Sequence, residues 1–261
     1  MDSAAFFDYG LLLVAGLLAG GINTLAGNGS VITLSSLRFL GQPMDIANGT
    51  NRVGVLIQST VALVSYWREA KVRLEGKDWL IAWAVVGGLG GTWLAVVVDP
   101  LALERSIGIL MIGMLVLILN NPKAWLSKHG NSHPPLRHPL VLSLMYAGIG
   151  FYAGYVQAGV GIILLVGLVA GAGYSLTKAN ALKLIVVVAV NFPALFIFWY
   201  NDQVHWLPGL VLAAGQSLSA RWSVRFAVHH PKANFWIRNL LILIVLIAIV
   251  RFLRLYETIT F

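Results

Sequence analysis

The chain has 261 residues, no cysteine, ten acidic residues and 11% charged residues overall. Without cysteine there is no disulfide framework and no thiolate metal site. Charge this sparse cannot supply the solvated skin of a water-soluble domain. The acidic residues all lie in or beside expected loops, Asp45 after Pro43 included, so no carboxylate stands mid-helix as a proton carrier. The opening MDSAAFFDYG holds no lysine or arginine, whereas a cleavable signal peptide starts with a basic segment, so the first apolar run is expected in the mature protein. The apolar segments contain no Ser-His dyad, metal cluster or acidic pair, which argues against an enzyme. The histidines of HGNSHPPLRH and the pair His229 and His230 sit in basic loops without the helical spacing of a zinc site, so no metal and no cofactor are expected.

What remains is oil. Hydrophobic residues make up 58% of the chain, the mean hydropathy is +0.81, and LLILIVLIAIV between Leu240 and Val250 has no polar side-chain atom. Such runs recur at lengths near the roughly 20 residues that span a hydrocarbon core. The expected fold class is therefore an all-α polytopic membrane protein, with the lipid bilayer as solvent and partner. The net charge of +8 comes from basic residues clustered in short loops, a topology signal rather than a nucleic-acid surface.

Ten helical segments are expected, at 9–26, 30–40, 47–66, 79–98, 103–121, 138–157, 160–172, 179–200, 207–226 and 236–254. The second and seventh are too short to cross alone at about 1.5 Å per residue, so each is a broken crossing or a re-entrant piece. Glycines mark both breaks, Gly27 with Gly29 and Gly159 with Gly161. An offset of 132 residues aligns 26–73 with 158–205 without a gap. Eleven of the 48 pairs are identical, among them Gly27 with Gly159, Gly29 with Gly161 and Asn48 with Asn180. The expected organisation is a five-segment repeat over 1–121, a cytoplasmic linker over 122–137 and a second five-segment repeat over 138–261. An odd number of segments per half makes the two repeats inverted. With both termini outside, thirteen basic residues fall inside and five outside.

The polar stretch from Ala26 to Gly54 and its mate then become unwound backbone within the membrane. Broken helices in inverted-repeat transporters aim free N–H groups at anions. The candidate binding residues are Asn28, Gly29, Ser30, Thr50, Asn51 and Arg52 in the first half, with Gly159, Gly161, Asn180 and Lys183 in the second. Close packing of helices is the competing explanation for the glycines. Arg52 and Lys183, aligned one position apart by the offset, are costly in a membrane segment and read as an anion-neutralising pair, with snorkelling to the interface as the alternative. Trp67, Trp79, Trp125, Trp199, Trp206 and Trp236 lie near segment ends, as interfacial anchors do.

The stretch AGNGSVITLSSLRFLGQPMDIANGTNRVGVLIQS resembles the first signature of the sulfite exporter TauE/SafE family, and GYVQAGVGIILL resembles the second. The resemblance implies a bacterial inner-membrane permease, with periplasmic termini on the charge split above, for sulfite, organosulfonates, thiosulfate or related small sulfur-containing anions, and it leaves homodimerisation open. The alternatives are a carboxylate permease and, from another class, a membrane-embedded enzyme. The sequence departs from the family where Asn28 replaces a usual third glycine and Ser35 a usual proline.

Overall fold

The computed structural model describes residues 3–70, 79–120, 138–168, 174 and 176–229, and every regular element among them is a helix. In chain order these are α1 (Ser3–Ala26), α2 (Ser30–Phe39), α3 (Met44–Ala70), α4 (Trp79–Val97), α5 (Pro100–Asn120), α6 (Pro139–Tyr155), α7 (Val160–Val166), α8 (Leu176–Tyr200) and α9 (Trp206–His229). The linker 122–137 and the expected tenth segment, 236–254, lie outside the described residues, as do Trp125 and Trp236.

Several boundaries follow from local chemistry. Helix α5 starts before the expected 103 because the Asp99 carboxylate accepts the N–H groups of Leu101 (2.9 Å) and Ala102 (3.1 Å), and Pro100 needs no donor at the first helical position. The α2 end is set by Gly41, at φ +82°. There the Gly41 N–H reaches the Arg38 carbonyl and the Gln42 N–H reaches that of Leu37, both at 3.1 Å, which closes the helix in a Schellman motif. Glu104, expected beside a loop, lies in the second turn of α5. It is buried and holds Arg38 at 3.0 Å, which fastens the end of α2 to α5.

The distribution of polarity is that of a membrane protein. Phe6–Leu25, Trp79–Val97 and Lys178–Tyr200 are long and apolar enough to cross a bilayer. Large apolar side chains such as Leu18, Trp93, Leu144, Phe192 and Phe196 face outward, while Asn48, Asn51, Arg52, Gln58, Lys183 and Asn191 are buried. Trp67, Trp79, Trp199 and Trp206 are exposed near helix ends.

Helix pairing is made by small residues. Helix α4 packs on α6 through reciprocal glycines: a Cβ at Gly87 or Gly91 would lie 1.9 Å from the Ala147 or Phe151 carbonyl oxygen, and one at Gly150 or Gly154 would lie 1.9 or 2.0 Å from that of Ala84 or Gly88. Gly90, by contrast, meets only the Phe151 ring, at 3.7 Å. Helix α1 packs on α9 in a similar way, with Gly16 and Gly20 against the backbone around Leu212 and Gln216. The other close pairs are α3 with α9, α4 with α8, and α3 with α8. The 132-residue offset exchanges α1 with α6, α3 with α8 and α4 with α9, so it carries the α4–α6 pair onto α9–α1 and the α3–α9 pair onto α8–α4. Helices α3 and α8 run antiparallel: the Arg52 guanidinium, near the start of α3, stands 4.7 Å from the ring centre of Phe198, near the end of α8.

Candidate anion site

The two helix breaks meet in the interior. Gly27 follows α1 at φ +78° and Gly159 precedes α7 at φ +74°, both in the left-handed region that glycine alone adopts without strain. The Gly161 N–H donates to the Gly27 carbonyl at 3.2 Å. A Cβ on Gly27 would lie 2.4 Å from the Gly161 Cα, and one on Gly161 would lie 2.3 Å from the Gly27 Cα. The breaks are thus in backbone-to-backbone contact.

Each buried cation is held at the break belonging to the opposite half. The Lys183 ammonium, on α8, donates to the carbonyls of Asn23 (3.4 Å) and Thr24 (3.1 Å) in the last turn of α1, and to Asn180 Oδ1 (3.1 Å). The Arg52 guanidinium, on α3, donates to the Ala153 carbonyl (3.4 Å), to the Gly154 carbonyl in a short contact, and to Asn191 Oδ1 (3.2 Å). Ala153 and Gly154 belong to the last turn of α6. The final carbonyls of a helix lack intrahelical donors and carry its negative pole, so each cation caps a helix end in the opposite half of the chain. Lys183 is only 1% exposed and Arg52 0%, so neither snorkels. Among the described residues, neither pairs with a carboxylate.

A small cavity of about 10 Å³ lies between the breaks, room for about one water. Three of the candidate binding residues, Ser30, Gly161 and Lys183, line it together with Gly27 of the first break. Asn23, Ser59 and Gln157 line it too, with Val55, Val160, Leu184 and Val187 forming an apolar wall. Arg52 is not part of the lining, so the two cations do not share this cavity.

The other expected residues have distinct surroundings. Asn51 accepts from the Thr33 hydroxyl at 2.5 Å and its amide faces Gln157 Oε1 at 3.5 Å. Gln157 donates in turn to Asn191 at 2.7 Å, so a buried amide chain links Arg52 to the cavity rim. The Thr50 hydroxyl accepts the His205 N–H at 2.9 Å and ties α3 to the start of α9. Gly29 is a packing residue: a Cβ there would sit 2.0 Å from the Ala19 carbonyl oxygen on α1. Asn28 is buried, with neither side-chain amide atom hydrogen-bonded among the described residues. Asn180, half-buried, orients the Lys183 ammonium.

Sequence reasoning missed Ser59, Asn23 and Gln157. Ser59 aligns with Asn191 under the 132-residue offset, a signal that was present. Gln157 stands directly before the second break at φ +64°, unusual for a residue with a side chain.

The profile of the family described as Sulfite exporter TauE/SafE matches residues 12–252. The chain belongs to this family. It is similar to a protein of Sinorhizobium sp. named "Probable membrane transporter protein ORF9", 28% identical over 97% of this chain and 95% of the relative. A "Probable membrane transporter protein" of Haemophilus influenzae is 26% identical over 85% of this chain and 86% of its own length. The "Probable membrane transporter protein YfcA" of Escherichia coli K12 is 28% identical over 90% of this chain and 86% of its own length. No solved structure matches the chain. The protein is a multi-pass membrane transporter of the TauE/SafE family.

Proposed function

We propose that the protein moves sulfite or a small sulfur-containing organic anion across the bacterial inner membrane, through the cavity between two inverted five-segment halves. One observation carries this reading: Lys183 is a buried cation with no carboxylate partner among the described residues, and it lines a cavity between two helix breaks. An uncompensated charge in a membrane interior is expensive, and an anionic ligand offsets it. Export is the favoured direction. A cell negative inside drives an anion outward by about 2.3 kcal/mol per charge per 100 mV, without a coupled ion. In this conformation the cavity has room for about one water, so passage of an anion requires it to widen. The charge split supports an orientation with both termini in the periplasm.

The test is flux from proteoliposomes containing the full chain and loaded with labelled sulfite, taurine, sulfoacetate, thiosulfate or acetate. Saturable release of at least one sulfur anion, absent from empty vesicles, is the expected result. Release of acetate alone would replace the sulfur reading with a carboxylate permease, and release of none would end the transport reading.

A further inference from the structure

We infer that the cavity selects a singly charged anion with a short apolar part, and that Ser59 is a specificity-determining contact for its head group. The inference rests on the transport reading above and narrows its substrate class. It starts from the number of charges that reach the cavity. Lys183 is the cation in the lining, whereas the Arg52 guanidinium is held by two α6 carbonyls and Asn191 and stays outside it. The Lys183 charge is itself partly met by the carbonyls of Asn23 and Thr24 at the negative pole of α1. One partly satisfied ammonium matches a monoanion. A dianion would leave at least one negative charge buried without a counter-charge, and a buried charge without a partner is strongly disfavoured.

The second observation is chemical. The Ser59 hydroxyl is buried, lines the same cavity and has no hydrogen-bond partner among the described residues. Buried hydroxyls are rarely left unpaired, and one facing a cavity beside an ammonium is placed to donate to an anion's oxygen. The third is the wall: Val55, Val160, Leu184 and Val187 offer nothing to a fully hydrated oxyanion but suit a methyl or short alkyl group. Together these three features match a monoanion with an oxygen-bearing head at Lys183 and Ser59 and a short apolar tail against the valine and leucine wall.

Probes of fixed charge test the inference on the purified full chain in lipid nanodiscs. Methanesulfonate carries one charge and sulfate two, with similar tetrahedral heads. The expected result is methanesulfonate affinity at least ten-fold above that of sulfate. Ser59→Ala is expected to weaken methanesulfonate binding by about ten- to hundred-fold while the protein stays folded, because one donor to a charged group is lost. Sulfate binding as tight as methanesulfonate overturns the charge selection while leaving an anion permease standing. Unchanged methanesulfonate affinity in folded Ser59→Ala removes Ser59 from the site. If methanesulfonate, sulfate and sulfite all fail to bind, this inference and the anion-transport reading fall together.

Discussion

Replacing Arg52 by methionine tests whether the arginine is a brace between helices or a ligand group. The side chain is fully buried and contributes three hydrogen bonds to α6 and α8, plus a face-on contact with the Phe198 ring. Interhelical hydrogen bonds in membranes are worth about 0.6 kcal/mol on average and about 1.7 kcal/mol at most, so three amount to about 2 to 5 kcal/mol. Relief of the cost of burying a cation works against this loss, which favours the lower end. At roughly 2 to 4 °C per kcal/mol, Arg52→Met is expected to melt about 4 to 8 °C below the parent in detergent. Arg52→Lys should fall between the two, because an ammonium cannot span the Ala153 and Gly154 carbonyls and Asn191 as a planar fork does. The assay is thermal unfolding followed by tryptophan fluorescence, with size-exclusion chromatography to confirm monodispersity. A variant with the parental melting temperature that no longer binds any anion would refute the brace and return Arg52 to the ligand site.

Four further outcomes are expected. Gly27→Ala and Gly161→Ala should not yield monodisperse protein, since each Cβ would press on the opposite break at 2.4 and 2.3 Å, whereas Gly41→Ala, at φ +82° with nothing within 4 Å, should cost only about 1 kcal/mol of backbone strain; gel filtration and melting temperature separate the two classes. Asn28→Ala should raise the melting temperature of the anion-free protein, because it removes a buried amide without protein partners, a burden of about 1 to 3 kcal/mol; a fall would show that the amide is paired. In a double-mutant cycle, Arg38→Gln and Glu104→Gln should couple by about 1 kcal/mol in thermal stability, as the guanidinium meets both carboxylate oxygens, at 3.0 and 3.2 Å; zero coupling would make the contact incidental. A single cysteine at exposed Asn201 should react with an impermeant maleimide added to intact cells and one at Lys128 should not; the reverse pattern would invert the proposed orientation.

Much of the fold was legible because lipid imposes a simple code. Apolar length gave the crossings, and α1, α4 and α8 agree with the expected segments to within a few residues, apart from the longer start of α1. The breaks were legible because glycine adopts without strain the positive φ to which the backbone turns at Gly27 and Gly159. At Gly29 both explanations stood open, because a glycine that lets a ligand approach and one that lets a helix approach look the same in sequence; the Ala19 carbonyl oxygen, 2.0 Å from where its Cβ would be, shows the packing contact. The early start of α5 was available in the Asp99–Pro100 pair, a capping signal obscured by the apolar run that follows.

The part of the site that sequence could not supply is the one that needs two distant segments at once. A charge inside a membrane segment announces a function but not a partner. Arg52 is about a hundred residues from Ala153 and Gly154, and Lys183 is about 160 from Asn23 and Thr24. Those partners are backbone carbonyls, which every residue possesses, so no side-chain pattern marks them. Their demand for a donor arises only because α1 and α6 end inside the protein, where water cannot satisfy their final carbonyls. The glycine break and the buried cation are thus two halves of one physical requirement. Under the 132-residue offset, Arg52 and Lys183 are displaced by one position while the α1 and α6 carbonyls they hold are displaced by two. Near-equivalent cations therefore meet near-equivalent helix ends in each half. What differs is the surroundings: Lys183 and the Ser59 hydroxyl line a cavity, whereas Arg52 meets Asn191, itself held by Gln157, and stands over the ring of Phe198. On the proposed reading, the same cap is a brace on one side and faces the anion cavity on the other.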